Sequence, residues 1–258
     1  MKAPYILVSF LLGIWLLASS CEPSRLRYNF DWARVQTGDS TEWKALTYDD
    51  SHWEYYYVFE EEEEVFWSRM KIKLPPEERK REQFGIQVVA TAAYEAYWDG
   101  VYLGTNGQLG EDGFREVPGY YQWFSPLPDS LLGDGEHVLA LRGTKQREDP
   151  SFHSYFFIDE YFELTRGPIQ VSKYMFMLAG AFLVTACYFL FSFAAQPKEY
   201  ANFIFGIICM AFLSLLLLEY LKLFYQYPYP FQRTRLEMIG YLHLLLFVLV
   251  PLFFVFHF

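Results

Sequence analysis

From Tyr174 to Ala195 the chain runs through 22 residues, YMFMLAGAFLVTACYFLFSFAA, without a single charge. A helix rises about 1.5 Å per residue and the hydrocarbon core of a bilayer is about 30 Å thick, so this stretch predicts a transmembrane helix. Tyr200 to Leu218 repeats the pattern, and Met238 to Phe258 repeats it again, interrupted by His243, Pro251 and His257. What precedes these spans is a different kind of polypeptide. Residues 22–170 hold 15 Lys and Arg against 28 Asp and Glu, whereas the rest of the chain holds 6 against 3. A net charge of −10 over 258 residues excludes a protein that binds nucleic acid by neutralising phosphates. A hydrophobic content of 53% excludes a disordered chain. The sequence therefore predicts an acidic folded domain joined to membrane helices.

The first 21 residues read as an export signal: Lys2, an apolar stretch from Tyr5 to Leu17, then the small residues Ala18, Ser19 and Ser20. Cys21 follows, and LLASSC resembles a bacterial lipobox, which implies lipidation of Cys21; a plain signal anchor with an incidental cysteine is the alternative. Cys187 and Cys209 fall inside predicted membrane helices, so residues 22–170 contain no cysteine and no disulfide. A segment of that size must be stabilised by a single core, and its many Trp, Tyr and Phe side chains supply large buried areas.

Within residues 22–170 the periodicity is that of strands. FGIQVVA (84–90) and HVLALR (137–142) alternate, and YEAYWDGVYLG predicts a hairpin in which Asp99-Gly100 takes the positive φ values of a type I′ turn. LPDSLLGDGEH predicts one short helical turn ending near Gly133, followed by a turn at Asp134-Gly135. With no long amphipathic helix in the pattern, the fold class is an all-β two-sheet sandwich or jelly roll, exported and followed by α-helical transmembrane segments at about 174–195, 200–218 and 238–258. The Arg166-Gly167-Pro168 triplet reads as a short linker between the two parts.

The segments TGDSTEWKALTYDDSHWE (37–54), FWSRMKIKLP (66–75), AYEAYWDGVYLGTNG (93–107) and YQWFSPLPDSLLGDGEHVLALRG (121–143) resemble, in order and spacing, the galactose-binding-like jelly roll of sugar-binding domains. Followed by PKEYANFIFGIICMAF and FQRTRLEMIGY, the arrangement is similar to the bacterial seven-transmembrane receptors with diverse intracellular signalling modules. That resemblance implies a periplasmic sensor, multi-pass in the inner membrane, with seven helices and a cytoplasmic output. This sequence carries three spans and no output module, so it reads as an amino-terminal portion of such a receptor or a truncated form of one. Export of the domain places Lys173 and the 219–237 connection outside and Lys198 inside. The positive-inside rule disagrees, because the outer connection holds Lys222, Arg233 and Arg235; Glu219 and Glu237, or further helices, are the expected partners of these charges.

The chemistry-bearing residues favour binding over catalysis. Aromatic faces stack on sugar rings while amides and carboxylates meet hydroxyls, which makes Trp98, Asp99, Asn106, Tyr120, Tyr121 and Trp123 the candidate ligand-binding residues. Trp98 and Trp123 have a competing reading as core, whereas Tyr120 and Tyr121 follow Pro118-Gly119 and are expected to be exposed. In YDDSHWE, Asp49 and Asp50 read as turn acceptors and Trp53 as a core insertion. Arg69 is either a buried paired cation or a donor to a sugar. The run Glu60 to Glu64 reads as solvated, since alternate strand residues point to opposite faces and cannot converge on a cation. His52, His137 and His153 show no catalytic or metal-ligand spacing, and no nucleophile elbow or phosphate loop is present. His243 and His257, in hydrocarbon, are expected to face a bundle interior or to reach the interface. No catalytic residue, metal or cofactor is expected. The expected partners are a small polar ligand, carbohydrate above all, and the membrane, with a second copy or a separate cytoplasmic signalling protein as further candidates. The function read from this is a membrane-anchored ligand sensor. An anchored carbohydrate-binding module without signalling is the alternative, and a polysaccharide-processing enzyme a third.

Overall fold

The computed structural model describes residues 26–29, 33–55, 65–74, 83–110, 115–144 and 154–257. Cys21, the Glu60–Glu64 run and His153 lie outside the described residues. The strands are β1 (Leu26–Asn29), β2 (Arg34–Thr37), β3 (Glu54–Tyr55), β4 (Phe66–Lys73), β5 (Phe84–Ala90), β6 (Ala93–Trp98), β7 (Val101–Asn106), β8 (Gln122–Pro126), β9 (Glu136–Thr144) and β10 (Ser154–Glu160). They are followed by α1 (Tyr161–Ala195), α2 (Tyr200–Phe224) and α3 (Phe231–His257). Every described strand pair is antiparallel. One sheet has four strands in the order β1-β10-β5-β8, and the other six in the order β3-β2-β4-β9-β6-β7.

The alternation read from the sequence sorts the side chains onto the two faces of each sheet. Phe84, Ile86 and Val88 of β5 and Phe156 and Ile158 of β10 meet Phe66, Met70 and Ile72 of β4, Tyr94, Ala96 and Trp98 of β6, and Leu139 and Leu141 of β9 in one shared cluster. The domain is therefore two antiparallel sheets closed on a common apolar core. The hairpin forms as the sequence predicts: Asp99 has φ of +51° and Gly100 of +85°. The short helical turn is a 3₁₀ turn at Asp129–Leu131.

On the outer face of the six-stranded sheet, Trp67 and Arg69 project from β4 and are covered by the segment that contains YDDSHWE. Trp53, Trp67, Val138 and Ala140 form a second cluster there, with Trp43, Tyr48 and Tyr97 packed on it. Beside it Asp39 accepts two hydrogen bonds from Arg142, at 2.8 and 2.6 Å, and one from the Trp67 indole at 3.0 Å. The Arg142 hydrogen bonds hold the Asp39 carboxyl below its ordinary range.

The helices depart from the sequence reading in length. α1 begins at Tyr161, directly after β10, and its backbone continues through 166–168, where a linker was expected. The reason is tertiary: the Tyr161 amide donates to the Gln83 carbonyl at 2.8 Å and α1 packs on β10, β5 and β8, which outweighs the local breaker signal of a Gly-Pro pair. Three helical stretches, Ser172–Ala195, Tyr200–Phe224 and Phe231–His257, are long and apolar enough to cross a membrane. His243 is exposed on α3 and bonds the Ile239 carbonyl one turn back at 2.8 Å, so in this three-helix arrangement it faces no bundle interior.

The connection between α2 and α3 folds back onto the β domain. Its three basic residues, which conflict with the positive-inside rule, are paired within it: Lys222 with Glu219 at 3.2 Å, Arg233 with Glu237 at 3.0 Å, and Arg235 with Glu219 at 3.5 Å. Arg235 is buried and also donates to the Leu218 carbonyl at 2.9 Å.

Candidate functional site

The YPYP stretch, Tyr227 to Pro230, joins the helices to the sandwich. The Tyr121 amide donates to the Tyr227 carbonyl and the Tyr229 amide to the Gly119 carbonyl, each at 2.9 Å. These two bonds flank a bridge between Tyr120 and Pro228, so the connection adds a rung of antiparallel sheet to the domain. Tyr121 and Tyr227 stack with ring centroids 5.7 Å apart and planes 8° apart. Val89, Tyr121, Tyr227 and Tyr229 form a buried cluster, with Tyr155 and Leu221 against it. The Tyr227 hydroxyl reaches Gln232 at 2.6 Å, and Gln232 accepts from Arg235 at 3.0 Å.

Beneath this contact lies Glu116, buried between the hydroxyls of Tyr229 and Thr144, which both donate to it. Burial pushes the Glu116 carboxyl above its ordinary value, against the lowering effect of the two hydroxyls. Folding thus disfavours ionisation of this group relative to the unfolded chain, and the stability linked to its protonation is complete below the unfolded value and lost as pH rises through the folded one. Glu116→Gln keeps the hydrogen-bonding shape without the charge. The difference in melting temperature, wild type minus Glu116→Gln, is expected to fall as pH rises from 4 to 8, measured by intrinsic fluorescence in detergent micelles.

A pocket of about 650 Å³ opens beside the junction. On the domain side it is lined by Thr105, Asn106, Gly107, Tyr120, Gln122 and Trp123. On the helix side Tyr161 and Thr165 of α1 and Lys222, Leu223 and Phe224 of α2 close it, with Gln226 of the connection. Aromatic walls with amide and hydroxyl groups between them suit a ligand with apolar faces and polar edges.

The structure brings three of the six candidate ligand residues to this pocket. Tyr120 is exposed, Trp123 is half-buried, and Asn106 is a brace: its amide donates to the Tyr120 carbonyl at 2.7 Å and accepts from the Tyr120 amide at 2.8 Å. The other three lie elsewhere. Trp98 is wholly inside the sandwich core, its indole donating to the Leu131 carbonyl at 2.9 Å, because strand alternation points it the same way as Tyr94 and Ala96. Asp99 holds the hairpin turn, accepting from the Val138 amide at 2.7 Å and lying 2.6 Å from His137 Nδ1. Tyr121, expected to be exposed, is buried, because Tyr227 from the helical part covers it. The wall contributed by α1, α2 and the connection between α2 and α3 escaped the sequence reading. The YPYP repeat, two prolines that keep a short connection extended, was the signal available for it.

Arg69 resolves as the buried cation. Its Nε donates to Asp50 Oδ2 at 3.1 Å, and its guanidinium also donates to the carbonyls of Trp43, Ala45 and Tyr48. Asp49 accepts from the Ser51 amide at 3.0 Å and Trp53 is buried, as expected of fold determinants.

No known family profile and no curated protein matches this chain. Among solved structures it is similar to Bacteroides uniformis beta-glucuronidase 2 covalently bound to cyclophellitol-6-carboxylate aziridine, at 17% identity and a TM-score of 0.40, over 52% of this chain and 18% of that one. It is similar to Bifidobacterium dentium beta-glucuronidase complexed with coumarin-3-O-glucuronide at 15% identity and a TM-score of 0.33, over 48% of this chain and 21% of that one. It is also similar to a beta-D-mannosidase from Dictyoglomus thermophilum at 20% identity and a TM-score of 0.25, over 32% of this chain and 9% of that one. The chain spans about a fifth or less of the length of these enzymes, and likenesses this low say nothing of its own chemistry.

Proposed function

We propose that the protein is a membrane-anchored sensor whose β domain lies outside the bacterial inner membrane, binds a carbohydrate or related small polar ligand in the junction pocket, and passes occupancy to its helices. The observation that carries this reading is the composition of the pocket wall. Tyr120 and Trp123 come from the sandwich while Lys222, Leu223 and Phe224 come from a membrane-spanning helix, so one ligand touches both parts. A ligand shifts a conformational equilibrium only through contacts that differ between states, and a pocket shared by two elements supplies such contacts. The sensor reading is also supported by the sequence resemblance to a galactose-binding-like jelly roll and to the amino-terminal part of seven-helix receptors. An anchored binding module without signalling would not need the connection between α2 and α3 to be paired to the domain.

The test is a thermal-shift and titration screen of the full chain in micelles against galactose, N-acetylglucosamine, glucuronate and soluble cell-wall fragments. At least one is expected to bind, and Trp123→Ala is expected to weaken it about tenfold or more, the loss of one aromatic platform. A screen without any binder, or a binder indifferent to Trp123, overturns the reading.

A further inference from the structure

The pocket opens where both sheets end. β7 is the last strand of the six-stranded sheet and β8 the last of the four-stranded one. Thr105 and Asn106 of β7 line the pocket together with Gln122, Trp123 and Phe124 of β8. Trp123 lies across the gap between the sheets: it packs on the sandwich core, and a Cβ added at Gly104 of β7 would stand 2.9 Å from its Cζ2.

The direction of the β8 backbone follows from its pairing. The Ala90 amide donates to the Tyr121 carbonyl at 3.2 Å and the Leu127 amide to the Phe84 carbonyl at 2.8 Å. Between them Val88 stands opposite Trp123 and Ile86 opposite Ser125. Hydrogen-bonded pairs alternate along an antiparallel ladder, so Trp123 and Ser125 turn their amides and carbonyls to β5, and Gln122 and Phe124 turn theirs to the outer edge. That edge already serves for strand pairing, since Tyr227 and Tyr229 bond to its start at Tyr121 and Gly119. α2 ends at Phe224, three residues before Tyr227, so the connection leaves the edge there. Among the described residues no strand continues the pairing along Gln122 and Phe124.

Two donors and two acceptors are thus presented about 7 Å apart, the repeat of an extended peptide rather than of a sugar ring. In an added strand, the residue opposite Trp123 would carry its side chain on the same face as the indole. We infer that the ligand of the junction pocket is a glycopeptide: three extended residues pair with Gln122 to Phe124, and the central one holds a sugar against the Trp123 ring. The inference rests on the reading of this pocket as the ligand site and names the class of ligand. Strand addition to an open sheet edge takes its affinity from the main chain and its specificity from alternate side chains. Here the bound strand and the 227–229 connection would lie end to end on one edge, which gives occupancy a direct path to the helices.

The experiment uses the full chain in micelles and three probes: acetyl-alanyl-asparaginyl-alanine amide with N-acetylglucosamine on its asparagine, the same peptide without sugar, and free N-acetylglucosamine. Titration calorimetry reports binding. The glycopeptide is expected to bind about tenfold or more tightly than either part alone, as the net gain of two or more backbone hydrogen bonds would produce. Methylating the nitrogen of the central residue, whose N–H would point away from β8, should leave that affinity unchanged, whereas methylating either flanking nitrogen should remove the gain. Phe124→Pro deletes one outward amide at a sheet edge, where proline is tolerated, and should remove the gain as well. Equal binding of glycopeptide and free sugar overturns this inference while the ligand site stands. Equal losses from central and flanking methylation overturn it too, because contact without strand pairing would produce them. A bare peptide that matches the glycopeptide overturns both this inference and the sugar reading. No response to any of the three overturns the inference, and the pocket reading is then decided by the sugar screen.

Discussion

Replacing Arg69 by methionine is expected to destabilise the β domain by about 3–5 kcal/mol, because it leaves the carboxylate of Asp50 buried without its main partner. Asp50 is 2% exposed and the Arg69 side chain 0%. The remaining cations are poorly placed to compensate, with Arg34 Nε at 4.0 Å and Lys71 Nζ at 3.6 Å from the other carboxylate oxygen, both on partly exposed side chains. Three carbonyls, those of Trp43, Ala45 and Tyr48, lose a charged donor in the same step, each a loss of about 1 kcal/mol or more when the group stays buried. These carbonyls belong to the segment that covers the outer face of the six-stranded sheet, so Trp43 and Trp53 should become mobile as well. For a domain of this size the expected fall in melting temperature is on the order of 10 °C. The double variant Arg69→Met with Asp50→Leu should recover part of the loss, since it removes the orphaned charge but not the orphaned carbonyls. A single variant that melts within about 2 °C of wild type would show that the cation is not a fold determinant.

Strand positions and the hairpin were legible because their causes are local. Alternation places Phe84, Ile86 and Val88 on one face, and only glycine and asparagine-like residues accept the φ values found at Asp99 and Gly100. Trp98 was legible too, had parity been given more weight than its nearness to a turn: Glu95 and Tyr97 mark the outward face of β6, and Trp98 falls on the other. Tyr121 was not. It follows a Pro-Gly turn, where exposure is the ordinary outcome, and what buries it is Tyr227, in a connection beyond two long apolar helices. No window of sequence contains both residues. The same holds for the pocket, half of whose wall comes from helix ends that composition identifies only as membrane spans. The continuity of α1 through Gly167-Pro168 likewise depends on its packing against β5, β8 and β10, a tertiary gain that overrides a local preference.

A methyl group at Gly119 should cut the link between domain and helices. A Cβ built there would lie 2.5 Å from the Asn106 carbonyl carbon and oxygen and 2.6 Å from its Cγ, and one at Gly107 would lie 2.5 Å from the Gly119 nitrogen. The two backbones cross with no room for a side chain, and because the obstructing atoms are mostly main chain they cannot rotate away. Gly119→Ala must therefore push residues 117–121 off Asn106, which breaks the two hydrogen bonds that hold Tyr120 and moves the strand to which Tyr227 and Tyr229 pair. Overpacking of this kind costs about 1–3 kcal/mol. The functional effect should be larger than the thermal one, since Tyr120 and Gly107 line the pocket and the displaced strand is the contact with the α2–α3 connection. Gly133→Ala is the matched control: no heavy atom lies within 4 Å of its added methyl, so it should melt within about 0.5 kcal/mol of wild type. Limited proteolysis of the full chain in micelles distinguishes the outcomes. In Gly119→Ala the 225–230 connection should become cleavable while the sandwich core resists, and ligand-induced protection of that connection should vanish. Cleavage identical to wild type, with ligand response intact, would mean that the crossing of 106–107 with 117–119 does not hold the junction together.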